Sequence, residues 1–163
     1  MLGLINKYGY FTVFILITLE SLFPPIPSEL ILTAGGFFTT CSSMSLLGLT
    51  IYSTLGSVLG DILLYYVGRF STQSQLIHLV QSPIGRLLHL HIEDLLKSID
   101  HYRRKGPKTI FLYRFVPVWR NLISIPAGLD RLDPLIFLLY SFIGNLLWNF
   151  ALLYLGSLIG DLL

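Results

Sequence analysis

The chain has 163 residues, 53% of them apolar and only 12% charged, and its mean hydropathy is +0.71. A soluble domain carries about a quarter charged residues, and here the deficit is concentrated: no Asp, Glu, Lys or Arg lies between Glu29 and Asp61, or from Pro134 to Gly160. A bilayer core about 30 Å thick needs about 20 helical residues, so each stretch is long enough to cross, and no water-soluble fold of this size needs both.

In chain order, Lys7 and the apolar run from Tyr8 to Leu19 imitate a signal peptide. Glu20 and Pro24-Pro25-Ile26-Pro27 follow, however, without a small-x-small cleavage pattern, and the segment is expected to stay in the mature protein. The first apolar segment therefore spans about 8–23. Pro24, Pro25 and Pro27 remove backbone donors and clash with the preceding turn, so no helix continues through them. Ser28 reads as an N-cap, with Glu29 in the first turn of a helix reaching about Thr40. Each piece is short for an independent span, and a hairpin that dips into the membrane and returns fits better than two crossings. Its broken backbone must then be buried in protein or line a wet cavity.

A full-length span is expected from about Ser45 to Gly68. Gly56, Gly60 and Gly68 give it a smooth stripe for close helix approach, and Asp61 lies beside that stripe. Seven of the eleven basic residues then fall between Arg69 and Lys108, which places this polar segment in the cytoplasm. Nucleic acid is not an expected partner, because Glu93, Asp94 and Asp100 interleave with the bases and aromatic residues are sparse. Within it, Ile92, Leu95, Leu96, Ile99 and Tyr102 recur at helical spacing, forming an amphipathic helix that lies on the membrane surface or against the protein. His89 and His91 offer metal-ligand chemistry, but on a helix they point about 200° apart, so no metal and no cofactor is expected. Cys41 is the only cysteine, which excludes an intrachain disulfide.

Lys105-Gly106-Pro107-Lys108 ends that helix. A second broken apolar segment runs from Thr109 to Leu129, with breaks expected at Pro117 and again at Pro126-Ala127-Gly128. A polar turn over 130–134 leads into a final span from Leu135 to about Ile159.

The two halves resemble each other. Placing Phe23 over Phe115 aligns Pro25 with Pro117, Leu30 with Leu122, Ile31 with Ile123 and Gly36 with Gly128. A slightly shorter offset aligns Gly56 with Gly144, Asp61 with Asn149, Tyr66 with Tyr154 and Gly68 with Gly156. The expected fold is an all-α polytopic membrane protein, a single membrane domain over 1–163. It is an inverted repeat of a broken re-entrant hairpin plus a full transmembrane helix, with a cytoplasmic amphipathic helix between. Repeat 1 covers about 8–68, the cytoplasmic segment 69–108 and repeat 2 about 109–160, with both termini outside. Transporters of this arrangement bind substrate where two broken segments meet near the midplane.

Charged groups at membrane depth cost about 2.5–3.5 kcal/mol each on insertion scales and so default to functional candidates. Glu20 and Glu29 flank the first proline break; Arg114 and Arg120 flank Pro117. Six residues on an unbroken helix is about 600°, which separates the arginines, whereas a break at Pro117 lets both turn into one cavity. Guanidinium groups grip phosphate or carboxylate oxygens bidentately, so Arg114 and Arg120 are the substrate-binding candidates. Glu20, Glu29 and Asp61 are candidates for proton coupling. The bland alternative is that the glutamates and arginines pin the two hairpins together as ion pairs. Asp61 is expected to pair with Arg69 or to share a polar contact with Asn149, while Asn145 and Asn149 bridge helices. Trp119 and Trp148 read as packing or interface anchors.

Glu20-Ser-Leu-Phe-Pro-Pro-Ile-Pro-Ser-Glu29, Ala34-Gly35-Gly36 and Gly56-x-x-x-Gly60-Asp61-x-x-x-x-Tyr66-x-Gly68-Arg69 resemble the first half of the DedA family, the SNARE-associated or VTT-domain proteins. Phe111-x-x-Arg114-Phe115-Val116-Pro117-x-x-Arg120, Pro126-Ala127-Gly128 and Asn145-x-x-Trp148 resemble its second half. The resemblance implies that Glu20, Glu29, Arg114 and Arg120 serve transport. It further implies a bacterial cytoplasmic-membrane, multi-pass protein that is not an enzyme. Its partner would be a membrane lipid substrate with a phosphate head, undecaprenyl phosphate or a phospholipid such as phosphatidylethanolamine, moved with linkage to protons or potential. The chain ends soon after Gly156-x-x-x-Gly160, where longer members have a further span, which leaves open whether it forms a homo-oligomer. The competing readings are a proton-coupled ion antiporter and a non-transporting membrane assembly factor that works through the helix over 92–104.

Overall fold

The computed structural model describes residues 2–23, 27–87, 89–117 and 119–163, with side chains from Tyr8 onwards; the expected break residues Pro24 and Pro25 lie outside the described residues. Within them the regular structure is helical: α1 Leu2–Leu22, α2 Ser28–Cys41, α3 Leu46–Phe70, α4 Gln73–Gln81, α5 Pro83–Leu87, α6 Ile92–Lys105, α7 Lys108–Tyr113, α8 Trp119–Leu122, α9 Ser124–Leu129 and α10 Pro134–Leu162.

The helix boundaries follow local chemistry. Helix α1 starts earlier than expected, because no proline or stop signal stands between Leu2 and Tyr8. The Ser45 hydroxyl accepts the Gly48 amide at 3.0 Å and starts α3. Pro134 occupies the first turn of α10 behind the Asp133 cap, whose carboxylate accepts the Leu135 amide at 2.8 Å. Helix α6 stops at Gly106, where φ is +74° and the amide returns to the Tyr102 carbonyl.

Two expectations are corrected. Ser28 is not the N-cap of α2: Pro27 holds that position without a side-chain cap, and Ser28 is the first helical residue. The second broken segment is interrupted over 114–117 and at Ile123, not at Pro126 and Gly128. Pro126 sits in the first turn of α9, where helical amides lack intrahelical acceptors, so its missing N–H costs nothing there.

Helices α3 and α10, of 25 and 29 residues, are long and apolar enough to cross a membrane; at 1.5 Å per residue they span about 37 and 43 Å. Their polarity is reversed from that of water-soluble helices. The buried stripe of α10 carries Ser141, Asn145 and Asn149, and that of α3 carries Thr50, Ser53, Thr54, Ser57 and Asp61. The outward face of α10 presents Leu135, Leu139, Leu147 and Leu155, all exposed. Polar groups inside and leucines outside suit a hydrocarbon solvent, and the chain is a membrane protein.

Helix α2 packs chiefly on α10, and α1 chiefly on α3; α9 and α10 also pack on α3. Close contacts through glycine bring helix backbones together. A methyl at Gly36 would overlap the Leu153 carbonyl, and one at Gly156 the Thr33 carbonyl; likewise Gly128 faces the Tyr65 carbonyl and Gly68 that of Ile125. Gly36 and Gly128 are equivalent in the sequence alignment of the halves, as are Gly68 and Gly156. Helix α6 lies against protein: Leu95, Ile99 and Tyr102 are buried, and it contacts α4, α7, α8 and α9.

Overpacking costs about 1–3 kcal/mol, and at these backbone contacts no side chain can yield. Gly36→Leu and Gly156→Leu are each expected to lower the thermal unfolding midpoint in detergent by at least that equivalent. Ala151→Leu, on the exposed face of α10, stays within about 0.5 kcal/mol of the parent. Equal midpoints for all three variants would show that the α2–α10 contact is not close.

Candidate functional site

Four charged side chains are buried at membrane depth among the described residues: Glu20, Asp61, Arg114 and Arg120. Arg114 caps the C-terminal end of α7, where the chain leaves helical geometry before Pro117. Arg120 lies in the single turn of α8. The interruption between them turns both guanidinium groups inward, as the spacing argument requires, but to different partners.

Arg114 is fully enclosed and nearly saturated. Nη1 donates to Asp61 Oδ1 at 2.8 Å and to the Arg120 carbonyl; Nη2 donates to Ser141 Oγ at 2.7 Å and Ser124 Oγ at 3.3 Å. Only Nε lacks an acceptor. Asp61 is equally well held, taking Asn145 Nδ2 on Oδ2 at 2.6 Å and the Ser124 hydroxyl on Oδ1 at 3.5 Å. This network joins α3, α7, α9 and α10 around one buried ion pair, which is stabilised where each charge also has neutral hydrogen-bond partners. Asp61 therefore pairs neither with Arg69 nor with Asn149. Arg69 donates instead to the Tyr65 hydroxyl and the Leu132 carbonyl, and Asn149 Nδ2 donates to Ser57 Oγ at 3.1 Å. Eight residues along α3 separate Asp61 from Arg69 by about 12 Å, too far for a direct pair.

Arg120 is placed differently. It is 1% exposed, and its one side-chain hydrogen bond among the described residues runs from Nη1 to Ser28 Oγ at 3.0 Å. Its Nε has no acceptor, and among the described residues it makes no ion pair within 4.0 Å. Glu20, at the far end of α1, is buried and hydrogen-bonded to the residue that follows Arg120. Its Oε1 accepts Asn121 Nδ2 at 3.4 Å, while Oε2 and Asn121 Oδ1 have no donor. Glu29 is half-buried in the first turn of α2 and makes no ion pair among the described residues.

The structure thus brings Glu20, Asp61, Arg114 and Arg120 into one buried region and leaves Glu29 at its edge. Among the described residues no Glu–Arg pair joins the two halves, and the buried ion pair uses Asp61. Asn145 and Asn149 bridge α10 to α3 as their spacing suggests. Ser28, Asn121, Ser124 and Ser141 were not legible as partners, although each is a polar residue inside an apolar run. Pro27 and Pro117 flank the region, while Gly128 serves packing against α3. Trp119 stacks on Tyr113 with ring centroids 5.1 Å apart. No three His, Cys, Asp or Glu side chains gather into a metal-holding group among the described residues.

The VTT domain profile matches residues 26–158. An alkaline phosphatase-like protein of Lactococcus lactis is 44% identical over 161 residues, 99% of this chain and 75% of the relative. Undecaprenyl phosphate transporter A of Staphylococcus aureus is 38% identical over 157 residues, 96% of this chain and 77% of the relative. Protein DedA of Escherichia coli is 25% identical over 167 residues, 98% of this chain and 74% of the relative. No solved structure gives a significant match.

Breaking a buried ion pair by removing one partner costs about 3–5 kcal/mol, whereas replacing both with apolar residues is often neutral. Arg114→Met and Asp61→Leu are each expected to destabilise the fold by that amount, read as detergent unfolding or loss of monodisperse protein. The double variant recovers most of the loss. Strictly additive losses would show that the two side chains do not act as a pair.

Proposed function

The chain belongs to the VTT-domain, or DedA, family, and we propose that it carries a phosphate-headed lipid between the leaflets of the bacterial cytoplasmic membrane. The observation that carries this reading is Arg120: a guanidinium buried at membrane depth with no carboxylate in contact. A charge so placed is costly without a counterion, and the planar fork of arginine suits two oxygens of a phosphate. Arg114, with four hydrogen bonds already made, has little left to offer, so the headgroup is assigned to Arg120, with the Ser28 hydroxyl and Asn121 beside it. Arg114 and Asp61 hold the framework. The relative named as an undecaprenyl phosphate transporter supports the substrate class, which includes that lipid and phospholipids such as phosphatidylethanolamine.

Glu20 supplies the coupling in this proposal. Its Oε2 and the Asn121 Oδ1 are both buried acceptors without donors, an arrangement that favours taking up a proton when the phosphate is absent. The same observation favours the second reading, a proton-coupled ion antiporter. The assembly-factor reading needs a free apolar face on α6, yet Leu95, Ile99 and Tyr102 are buried beneath neighbouring helices.

The topology proposed here is the inverted repeat, with α1–α2 and α7–α9 as the re-entrant arms. Its support is reciprocal packing: the arm of each half meets the long helix of the other through equivalent glycines, Gly36 with Gly156 and Gly128 with Gly68. The basic segment over 69–108 then faces the cytoplasm.

Flipping of fluorescent phosphatidic acid and of undecaprenyl phosphate in proteoliposomes tests the assignment. Arg120→Ala is expected to slow flipping about 10- to 100-fold, as loss of a charge-assisted contact worth about 1.5–3 kcal/mol predicts. Arg120→Lys, which keeps the charge but not the fork, recovers part of it. Flipping at the parental rate in Arg120→Ala, with the protein folded, would sink the headgroup site. Glu20→Gln is expected to remove the dependence of flipping on an imposed pH gradient. Proton flux in vesicles whose lipids do not flip would instead favour the antiporter.

A further inference from the structure

The two arms α1 and α2 are held by different partners, α1 by α3 and α2 by α10, and pack much less on each other. Between them lies a cavity of about 540 Å³, lined among others by Thr12, Leu16, Leu30, Ile31, Ala34 and Phe38. Its volume falls within the range of about 300–1,000 Å³ typical of small-ligand sites. The lining is apolar apart from Thr12 and the tyrosine at the outer end. Ala34 and Gly35 are small, so the floor lies close to the backbone of α2.

We propose that this gap holds one hydrocarbon tail of the lipid whose phosphate sits at Arg120; the assignment rests on that headgroup reading. The argument is continuity along α2. Ser28, the first residue of the helix, touches Arg120. Leu30 and Ile31, within the next turn, open the apolar lining, and Ala34 and Phe38 continue it one and two turns further. On the facing arm, Leu16 lies one turn from Glu20 and Thr12 a further turn away, so on both arms the lining begins within about one turn of the residues near Arg120 and runs away from them. A lipid with its phosphate at the α2 N-terminus has a tail path of matching polarity directly along the same helix. The groove is open, with Leu30 and Phe38 of its lining exposed, and a flexible methylene chain is the occupant that a hydrocarbon surrounding supplies.

The test uses the full chain in vesicles of phosphatidylcholine doped with phosphatidic acid that carries a diazirine near the end of one acyl chain. After photolysis, label mapped by mass spectrometry is expected on the facing residues of α1 and α2. Ala34→Trp and Thr12→Trp fill the gap from opposite arms; both residues are exposed, so the variants fold. Each is expected to reduce gap labelling about tenfold, while Leu139→Trp on the outward face of α10 leaves it unchanged. Label spread evenly over the gap and the α10 outer face, and insensitive to either filling variant, would identify ordinary boundary lipid and overturn the proposal. Loss in the filling variants of a crosslink between two copies, without loss of lipid label, would assign the gap to a second copy and also overturn it. If Arg120→Gln abolishes flipping while Ala34→Trp changes neither flipping nor labelling, the tail site falls and the headgroup site stands. If Arg120→Gln flips normally while Ala34→Trp abolishes gap labelling, the headgroup site falls and the tail site stands.

Discussion

The structure depends on one ion pair, Arg114 with Asp61, buried where neither water nor lipid can solvate it. An arginine in that position is tolerated only if most of its donors find acceptors. Four contacts meet that condition, from Asp61, Ser124, Ser141 and the Arg120 carbonyl. Because those acceptors lie on different elements, satisfying the guanidinium also fixes how α7, α8 and α9 lie against α3 and α10. The short, broken segment between Lys108 and Leu129 has too few residues per helix to be held by propensity. It is held by what its side chains must reach.

The second constraint is the close approach of backbones. Without a hydrophobic difference between helix surface and lipid, association depends on packing and hydrogen bonds. The paired glycines let the arms and long helices meet at carbonyl distance, and Asn145 and Asn149 add hydrogen bonds at the neighbouring α3–α10 contact. These contacts draw α2 toward α10 and α9 toward α3, while Gly56 admits the Phe14 carbonyl and so brings α1 to α3, which separates the arms. The gap between α1 and α2 is a consequence of the same arrangement. In the proposed function, rigid packing of the framework is what leaves Arg120 without a carboxylate partner among the described residues and Glu20 with one oxygen unpaired.

Much of this was legible in the residues. The uncharged stretches after Glu29 and after Pro134 announced α3 and α10 to within three residues, because hydrocarbon thickness sets a minimum length that few other constraints imitate. The prolines marked where helices stop. The charge pattern and 3.6-residue periodicity located α6. Aligning the two halves places Gly36 over Gly128 and Gly68 over Gly156, and all four glycines sit at backbone contacts. Pro126 was misread because a proline in the first turn of a helix looks the same in sequence as one that ends a helix. Ser28 was misread for a related reason: a serine before an apolar run reads as a cap, yet its hydroxyl is taken by a side chain 92 positions away.

By itself, then, the amino-acid sequence determined the solvent of this protein, the lengths of its spans, the break at Pro117 and which few residues carry charge into the membrane. These are properties of composition and spacing, and the bilayer enforces them segment by segment. Tertiary structure alone decided the pairing. Asp61 took Arg114 instead of Arg69, Ser28 took Arg120, and Glu20 was left with one oxygen free. Such choices depend on which helix faces approach, and that is settled by contacts between residues tens of positions apart.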